Sequence, residues 1–138
     1  MRRMVIIILA ICFIITGCMN KGKTITLTQI KDSFEKNGVS MSEVPDLHPE
    51  SVFSKAYNDV TPRRFVIDEN QKISIYVYTS SKEVRKGIKD FENKTAAADL
   101  TPHTIYQIAN VLIFYVTDES FKDVRVDLAI EELLSLTK

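Results

Sequence analysis

The stretch Ile75-Tyr76-Val77-Tyr78-Thr79 decides the fold of this chain, because it alternates like a strand and is closely matched by Ile113-Phe114-Tyr115-Val116-Thr117. β-Branched and aromatic residues dominate both stretches, and successive side chains of a strand point to opposite faces of a sheet. Each stretch follows another strand candidate and precedes an amphipathic segment. The order strand, strand, helix therefore occurs twice. We interpret it as a weak internal repeat, with chance similarity between amphipathic units as the alternative.

The two stretches complete two predicted hairpins. The first joins Arg63–Asp68 to residues 72–79 across a polar turn, and the second joins His103–Ile108 to Val111–Thr117 across Ala109-Asn110. Apolar runs of this length, bounded by turn-forming residues, are typical of antiparallel strands. The two hairpins are expected to join into one sheet of four strands.

Amphipathic segments follow both hairpins. We predict a helix over residues 80–93, capped by Ser80 or Ser81, and another over residues 120–135. A shorter helix over residues 28–37 precedes the hairpins. The side chains expected to be buried are Val84, Ile88 and Phe91 in the first of these helices, and Val124, Leu128 and some of Ile130, Leu133 and Leu134 in the second.

These elements predict a single α+β domain over residues 25–138. Its centre is a four-stranded antiparallel sheet built from two ββα units. Both helices are expected on one face, because a sheet must cover its apolar side. The short N-terminal helix is expected at an edge, and the irregular segment 39–61 leads into the first strand.

The N-terminus has the order of a secretory signal, with two arginines, an apolar run over residues 5–15 and then Ile15-Thr16-Gly17-Cys18. The last four residues resemble the lipobox of bacterial lipoproteins. That resemblance implies that Cys18 receives a diacylglyceryl group and becomes the mature N-terminus. Residues 1–17 are then a lipoprotein signal peptide and residues 18–24 a lipidated cysteine with a short tether. The domain is expected at the cell membrane, anchored by lipid on the extracytoplasmic face.

Two other interpretations of the N-terminus stay open. An uncleaved anchor needs about 20 apolar residues to cross a bilayer, and the run over residues 4–15 is shorter. An ordinary secreted protein would place small residues at the third and first positions before the cleavage site. Ile15 fits that pattern poorly.

The composition excludes several kinds of site. The chain carries 18 Lys and Arg against 18 Asp and Glu, and loss of residues 1–17 removes two arginines, which leaves sixteen against eighteen, or −2. Nucleic-acid binding requires a clustered basic face, so no nucleic acid is expected as a partner. Cys12 and Cys18 are the only cysteines. With the first removed and the second alkylated, no thiol is left for a disulfide, a zinc site or a nucleophile.

Histidines and acidic pairs are the remaining candidates for catalysis or metal binding. His48 and His103 are the only histidines, and neither has the spacing of a metal site, so we expect no metal and no cofactor. Acid–base catalysis needs carboxylates that converge on a cleft, whereas an adjacent pair such as Asp118-Glu119 usually faces water at a helix start. We therefore assign no catalytic residue from the sequence.

An aromatic sheet face is the most suggestive candidate for binding. Tyr76 and Tyr78 alternate against aliphatic neighbours in one strand, and Phe114 does so in another, with Arg63 or Arg64 beside them. Exposed tyrosine and arginine are common at recognition surfaces, so an uncovered face would be a binding site. The alternative is that these aromatic side chains only cover the sheet or pack under residues 39–61.

The chain resembles a group of small lipoproteins of Bacillus-type Gram-positive bacteria over roughly residues 50–117 and the signal. That group has no assigned activity, so the resemblance implies the location and the domain limits and transfers no catalytic residue. The residues that carry it are Tyr57 through Pro62, Ile75-Tyr76-Val77-Tyr78, Ser80-Ser81-Lys82-Glu83, Lys86-Gly87, Phe91, Thr95-Ala96 and Asn110-Val111-Leu112-Ile113-Phe114-Tyr115.

Three functional hypotheses follow. The first is a membrane-anchored extracytoplasmic lipoprotein that acts as a non-enzymatic binding module, with the bilayer as partner through Cys18 and another envelope protein or peptide as a second partner. The competing hypothesis is an envelope hydrolase whose site is assembled from distant residues, with His103 as base. A third, a small-molecule receptor for a transporter, is disfavoured because the chain is short for a two-lobed architecture.

Overall fold

The computed structural model describes residues 22–45, 50–117 and 122–138. The predicted signal, Cys18, His48 and the pair Asp118-Glu119 lie outside these ranges. None of the helices within them combines the length and hydropathy of a membrane span. In chain order the elements are α1 (Leu27–Lys36), β1 (Ser42–Glu43), a single 3₁₀ turn (Val52–Ser54), β2 (Arg63–Asp68), β3 (Gln71–Val77), α2 (Ser81–Thr95), β4 (His103–Ile108), β5 (Val111–Thr117) and α3 (Val124–Ser135).

The five strands form one antiparallel sheet in the order β1-β2-β3-β5-β4. The predicted α+β class and both predicted hairpins are confirmed, and the two hairpins join through β3 and β5, where Ile75 lies opposite Ile113. The sheet has five strands where four were predicted, because Ser42 and Glu43 pair with β2. A strand of two residues is too short to leave an alternating pattern in the sequence.

The prediction that both long helices lie on one face is wrong. Side chains of β3 and β5 are buried alternately on two sides, in two separate clusters. Ile75 and Ile113 face α1 and α3, and we call this side the α1/α3 face. Tyr76, Leu112 and Phe114 face α2, and we call that side the α2 face. Two central strands that are apolar on both sides need a helical layer on each side.

The connections that lead to the two helices differ in length. Three residues, 78–80, link β3 to α2, whereas six residues, 118–123, link β5 to α3. The sequence repeat accounts for part of this difference, since Val84 and Val124 occupy equivalent positions with a two-residue shift between them. Val84 is fully buried, but Val124 is 66% exposed.

The buried side of α3 differs in part from the prediction, since Ile130 and Leu133 are buried as expected but Val124 and Leu128 are exposed. The helix begins at Val124 with Asp123 as its N-cap, and the residues that face the sheet are Val126, Ala129, Ile130 and Leu133. Val124 and Leu128 lie instead on the outer side. Both sets have helical spacing, so the sequence pattern alone did not choose between them. Packing against α1 decides which set is buried, because the Ser33 hydroxyl of α1 donates to the Ala129 carbonyl of α3 at 2.9 Å.

The turn between β4 and β5 holds a backbone conformation that its residue disfavours. Ala109 has φ of +48°, in the left-handed region where a Cβ atom is crowded. We expect Ala109→Gly to stabilise the protein by about 0.5–1 kcal/mol, because glycine adopts this conformation without strain. Urea unfolding measures the change.

A matched control tests whether backbone strain at Ala109 is the cause of the stabilisation. Ala98 is exposed and has no positive φ, so Ala98→Gly should be neutral or slightly destabilising, since glycine adds freedom to the unfolded chain. Equal effects of the two substitutions would contradict the strain at Ala109.

Candidate functional site

The predicted aromatic binding face is covered. Tyr76 and Phe114 are fully buried and Tyr78 is 4% exposed, beneath α2 and residues 52–60. The 3₁₀ turn places Phe53 on the sheet, where its ring centroid lies 5.4 Å from that of Phe114. The ring centroid of Phe91 in α2 lies 4.6 Å from that of Phe114. Tyr76, Tyr78 and Phe114 are therefore part of the core. This agrees with the alternative that they pack under residues 39–61.

Hydroxyl groups fasten this covering segment to the sheet. The Tyr76 hydroxyl donates to the Lys55 carbonyl at 2.8 Å, and the Ser74 hydroxyl donates to the Phe53 carbonyl at 2.7 Å. The Tyr78 hydroxyl donates to the carbonyl of Tyr57 at 3.1 Å. Burial raises the pKa of Tyr76 and of Tyr78, so both phenols stay protonated donors.

A tight hairpin turn joins the same segment to α2. Asn58 and Asp59 both have positive φ, and Tyr57 and Val60 exchange backbone hydrogen bonds across them, as in a type I′ turn. The Asn58 N–H donates to the Asp90 carboxylate at 2.8 Å, and this contact lowers the pKa of Asp90 together with the Lys94 ammonium. The unusual backbone is thus explained by the turn.

The two arginines assigned to the binding face lie on opposite sides of the sheet. Arg63 is opposite Ile75 and Arg64 is opposite Ser74, so the first belongs to the α1/α3 face and the second to the α2 face. Arg63 makes a bidentate ion pair with Glu43 of β1. Arg64 donates to the Ser54 hydroxyl and so links β2 to the 3₁₀ turn. Each arginine therefore joins neighbouring segments of the fold.

His103 is surrounded mainly by aromatic rings. Its ring centroid lies 5.0 Å from that of Phe53, 5.9 Å from Phe91 and 6.1 Å from Phe114. Its Nδ1 lies 2.9 Å from the Thr101 carbonyl oxygen. It borders none of three surface concavities found in the described ranges. These contacts of His103, to three aromatic rings and one backbone carbonyl, are those of a packing residue.

Metal-ligating side chains are dispersed in the described ranges, where no three His, Cys, Asp or Glu residues come together as a group that could hold an ion. The acidic side chains with clear partners make structural contacts. Asp123 caps α3 and binds Arg125, and Glu132 binds Lys36 at 2.8 Å. Each cation lowers the pKa of the carboxylate it contacts.

The sequence analysis missed the role of Asn110, which it treated only as part of a turn. This residue is 4% exposed, and its side-chain amide bridges the N-terminal segment and the end of β3. The Asn110 Oδ1 accepts from the Ile25 N–H at 2.6 Å, while Nδ2 donates to the carbonyls of Ile25 at 3.1 Å and Tyr78 at 2.9 Å. The sequence signal for this role was the presence of a polar residue, Asn110, between two apolar strands.

Asn110 marks the end of the domain at which the tether arrives, and we call it the anchor end. A concavity of about 720 Å³ opens there. It is bordered by four segments, namely Gly22 and Lys23 of the tether, Lys82 in the first turn of α2, Ala109 and Asn110 in the turn between β4 and β5, and Thr137 just after α3. Lys23 also donates to the Lys138 carbonyl. The chain therefore enters the fold between the start of α2 and the end of α3.

The outer side of α2 carries a second feature that the sequence analysis did not single out. Lys82, Arg85, Lys86 and Lys89 are all exposed, and their spacings of three and four residues place them on one side of the helix. We call these four residues the basic stripe. A concavity of about 520 Å³ lies beside it and is bordered by three lysines, including Lys94, and by the carboxylates of Asp59 and Asp90. The stripe begins at the anchor end and runs away from it.

Comparisons with protein-family models, with curated proteins and with solved structures found no match.

Proposed function

We propose that the protein is a lipoprotein anchored through Cys18 to the extracytoplasmic face of the cell membrane, and that its folded domain acts by binding without catalysis. One observation carries the proposal. Ile25, seven residues after Cys18, is already held in the fold by two hydrogen bonds to Asn110. Seven residues span at most about 24 Å, so a lipid on Cys18 would hold the domain close to the bilayer.

The physical properties of the anchor fit this arrangement. A single acyl chain binds a membrane marginally, whereas two chains hold firmly, and a diacylglyceryl cysteine supplies two. The domain itself needs no covalent support, since both cysteines precede Gly22. Its stability comes from two apolar clusters on opposite faces of the sheet. A self-sufficient domain on a short lipid tether is the expected form of an envelope lipoprotein.

The histidine and acidic side chains that catalysis would need make structural contacts instead, and this favours binding over catalysis. His103 packs against three aromatic rings, and Asp123 caps α3. Asp90 holds the Asn58 turn and Lys94. We therefore propose that a partner, such as another envelope protein or peptide, is recognised by the domain surface. The buried tyrosines are not part of that surface.

Substitution of Cys18 tests the anchor. We expect Cys18→Ala to remove the protein from the membrane fraction, with release to the medium or accumulation of the precursor, because the lipid is attached to that sulfur. Fractionation and immunoblotting of cells measure the distribution, and mass spectrometry of the N-terminal peptide measures the modification.

Cys12 provides the matched control. It lies in the apolar run that the processed protein would lose, so Cys12→Ala should leave the membrane pool unchanged. An unchanged membrane pool in Cys18→Ala, or an unmodified Cys18 still joined to residues 1–17, would contradict the proposed function.

A further inference from the structure

The charges of the domain are divided between its two helical layers. The α2 helix carries five cations against three anions, whereas α1 and α3 together carry three cations against five anions. The two layers lie on opposite faces of the sheet. The molecule therefore has a basic side and an acidic side, although its overall charge is close to balance.

Helix stability alone does not account for the basic stripe. Lys82 and Lys86, and likewise Arg85 and Lys89, are like charges four residues apart, and such pairs destabilise a helix. One ion pair, from Lys86 to Glu83 at 2.7 Å, relieves part of this repulsion. A cluster of like charges that opposes helix formation is stabilised when an anionic surface lies against it.

The tether limits which surface can meet the stripe. Cys18 is four residues before Gly22, so the lipid would lie within about 14 Å of the anchor end. Lys23 and Lys82 border the same concavity there, and Lys82 is the first residue of the stripe. A bilayer held at the anchor end is therefore the nearest extended surface to the basic side of α2.

We propose that the basic stripe of α2, continued by Lys23, docks on the anionic headgroups of the bilayer to which the protein is anchored. The inference rests on the lipid anchor of the proposed function. The domain then lies on its side, with α2 against the membrane. The acidic layer of α1 and α3 faces away, and with it the exposed apolar residues Val124 and Leu128.

Two single-cysteine labels distinguish this lying orientation from an upright one, in which only the anchor end of the domain meets the bilayer. Asn93 is exposed on the outer side of α2, one turn beyond Lys89 and far from the anchor end. Ser135 is exposed on α3, close to the anchor end. In the upright orientation Ser135 is nearer to the bilayer than Asn93. In the lying orientation Asn93 is nearer, although it is farther from the lipid along the domain.

The mature Asn93→Cys and Ser135→Cys proteins are labelled with a fluorophore and reconstituted in phosphatidylcholine vesicles, with and without phosphatidylglycerol, that carry a headgroup quencher. We expect stronger quenching at Asn93 than at Ser135 when phosphatidylglycerol is present. The difference should disappear at 1 M salt, where the screening length falls to about 3 Å. Sedimentation with the vesicles should stay unchanged throughout, because the lipid anchor is insensitive to salt.

Charge reversal provides the matched variants. Each basic residue near an anionic surface favours contact about fivefold, so Lys86→Glu with Lys89→Glu should lower the equilibrium constant for docking at least about 25-fold. Lys31→Glu with Lys36→Glu makes the same charge change on α1 and should leave quenching at Asn93 unchanged. In each pair one lysine takes part in an exposed ion pair, and Lys31 also lies over the Phe65 ring, so urea unfolding of both variants is measured beside the quenching.

The outcomes separate the two proposals. A protein that fails to sediment with vesicles, or whose own Cys18 thiol reacts with the label, lacks the anchor, and both proposals are then wrong. A protein that sediments, but whose quenching at Asn93 is no stronger than at Ser135 or does not depend on phosphatidylglycerol, retains its anchor and overturns the docking surface alone.

Discussion

Gly87→Ala is expected to destabilise the protein by about 3 kcal/mol, although alanine is ordinarily the better helix former by about 1 kcal/mol. Gly87 is buried in α2 against Tyr78. A Cβ atom added at this position would lie 2.1 Å from the Tyr78 hydroxyl oxygen and 2.6 Å from its Cζ. The tyrosine ring would have to move, and it would lose its hydrogen bond to the Tyr57 carbonyl. Urea unfolding measures the loss.

Two comparisons isolate the close contact as the cause. Gly22 has nothing within 4 Å of an added Cβ, so Gly22→Ala should change the free energy of unfolding by less than about 0.5 kcal/mol. Tyr78→Leu removes the hydroxyl and the Cζ that clash. In that background Gly87→Ala should cost far less than in the native protein. An equal cost in both backgrounds would show that the tyrosine is not responsible.

Asn110→Asp is expected to cost about 3 kcal/mol or more, because it removes two donors and places a buried carboxylate against two carbonyl groups. The Ile25 and Tyr78 carbonyls would both lose the Asn110 amide donor. The protonated acid can still donate one hydrogen bond, so the cost should shrink at acidic pH. Urea unfolding at several pH values measures this dependence.

The same substitution should release the N-terminal segment locally. Hydrogen exchange at the Ile25 amide, which donates to Asn110, should accelerate more than exchange in β5. Asn70 is exposed in the turn between β2 and β3, and Asn70→Asp should be close to neutral. A stable Asn110→Asp protein with a protected Ile25 amide would contradict the bridging role.

The repeated strand–strand–helix order predicted the sheet well because strands are defined by local alternation. Arg63–Asp68, His103–Ile108 and Val111–Thr117 were predicted with the bounds that the structure has. These features depend on neighbouring residues in sequence, which is the information that periodicity contains.

The side on which each helix packs was not predictable in the same way. Val84 and Val124 are equivalent in the repeat, yet the chain takes them to a buried and an exposed position. That outcome depends on contacts that are distant in the sequence, since α1 packs on one face of the sheet and residues 52–60 pack on the other. The aromatic face was misjudged for the same reason, because the segment that covers it has little regular pattern of its own.

The burial of the tyrosines sets an alkaline limit on the fold. Desolvation holds the pKa of Tyr76 and Tyr78 above the ordinary value of 10.0. The unfolded chain therefore gives up these phenolic protons first, and above that pH it binds fewer protons than the native state. By linkage, stability is complete below pH 10 and declines as the pH rises further. Formation of phenolate would release the carbonyls of Lys55 and Tyr57, so the covering segment is expected to loosen before the rest of the sheet.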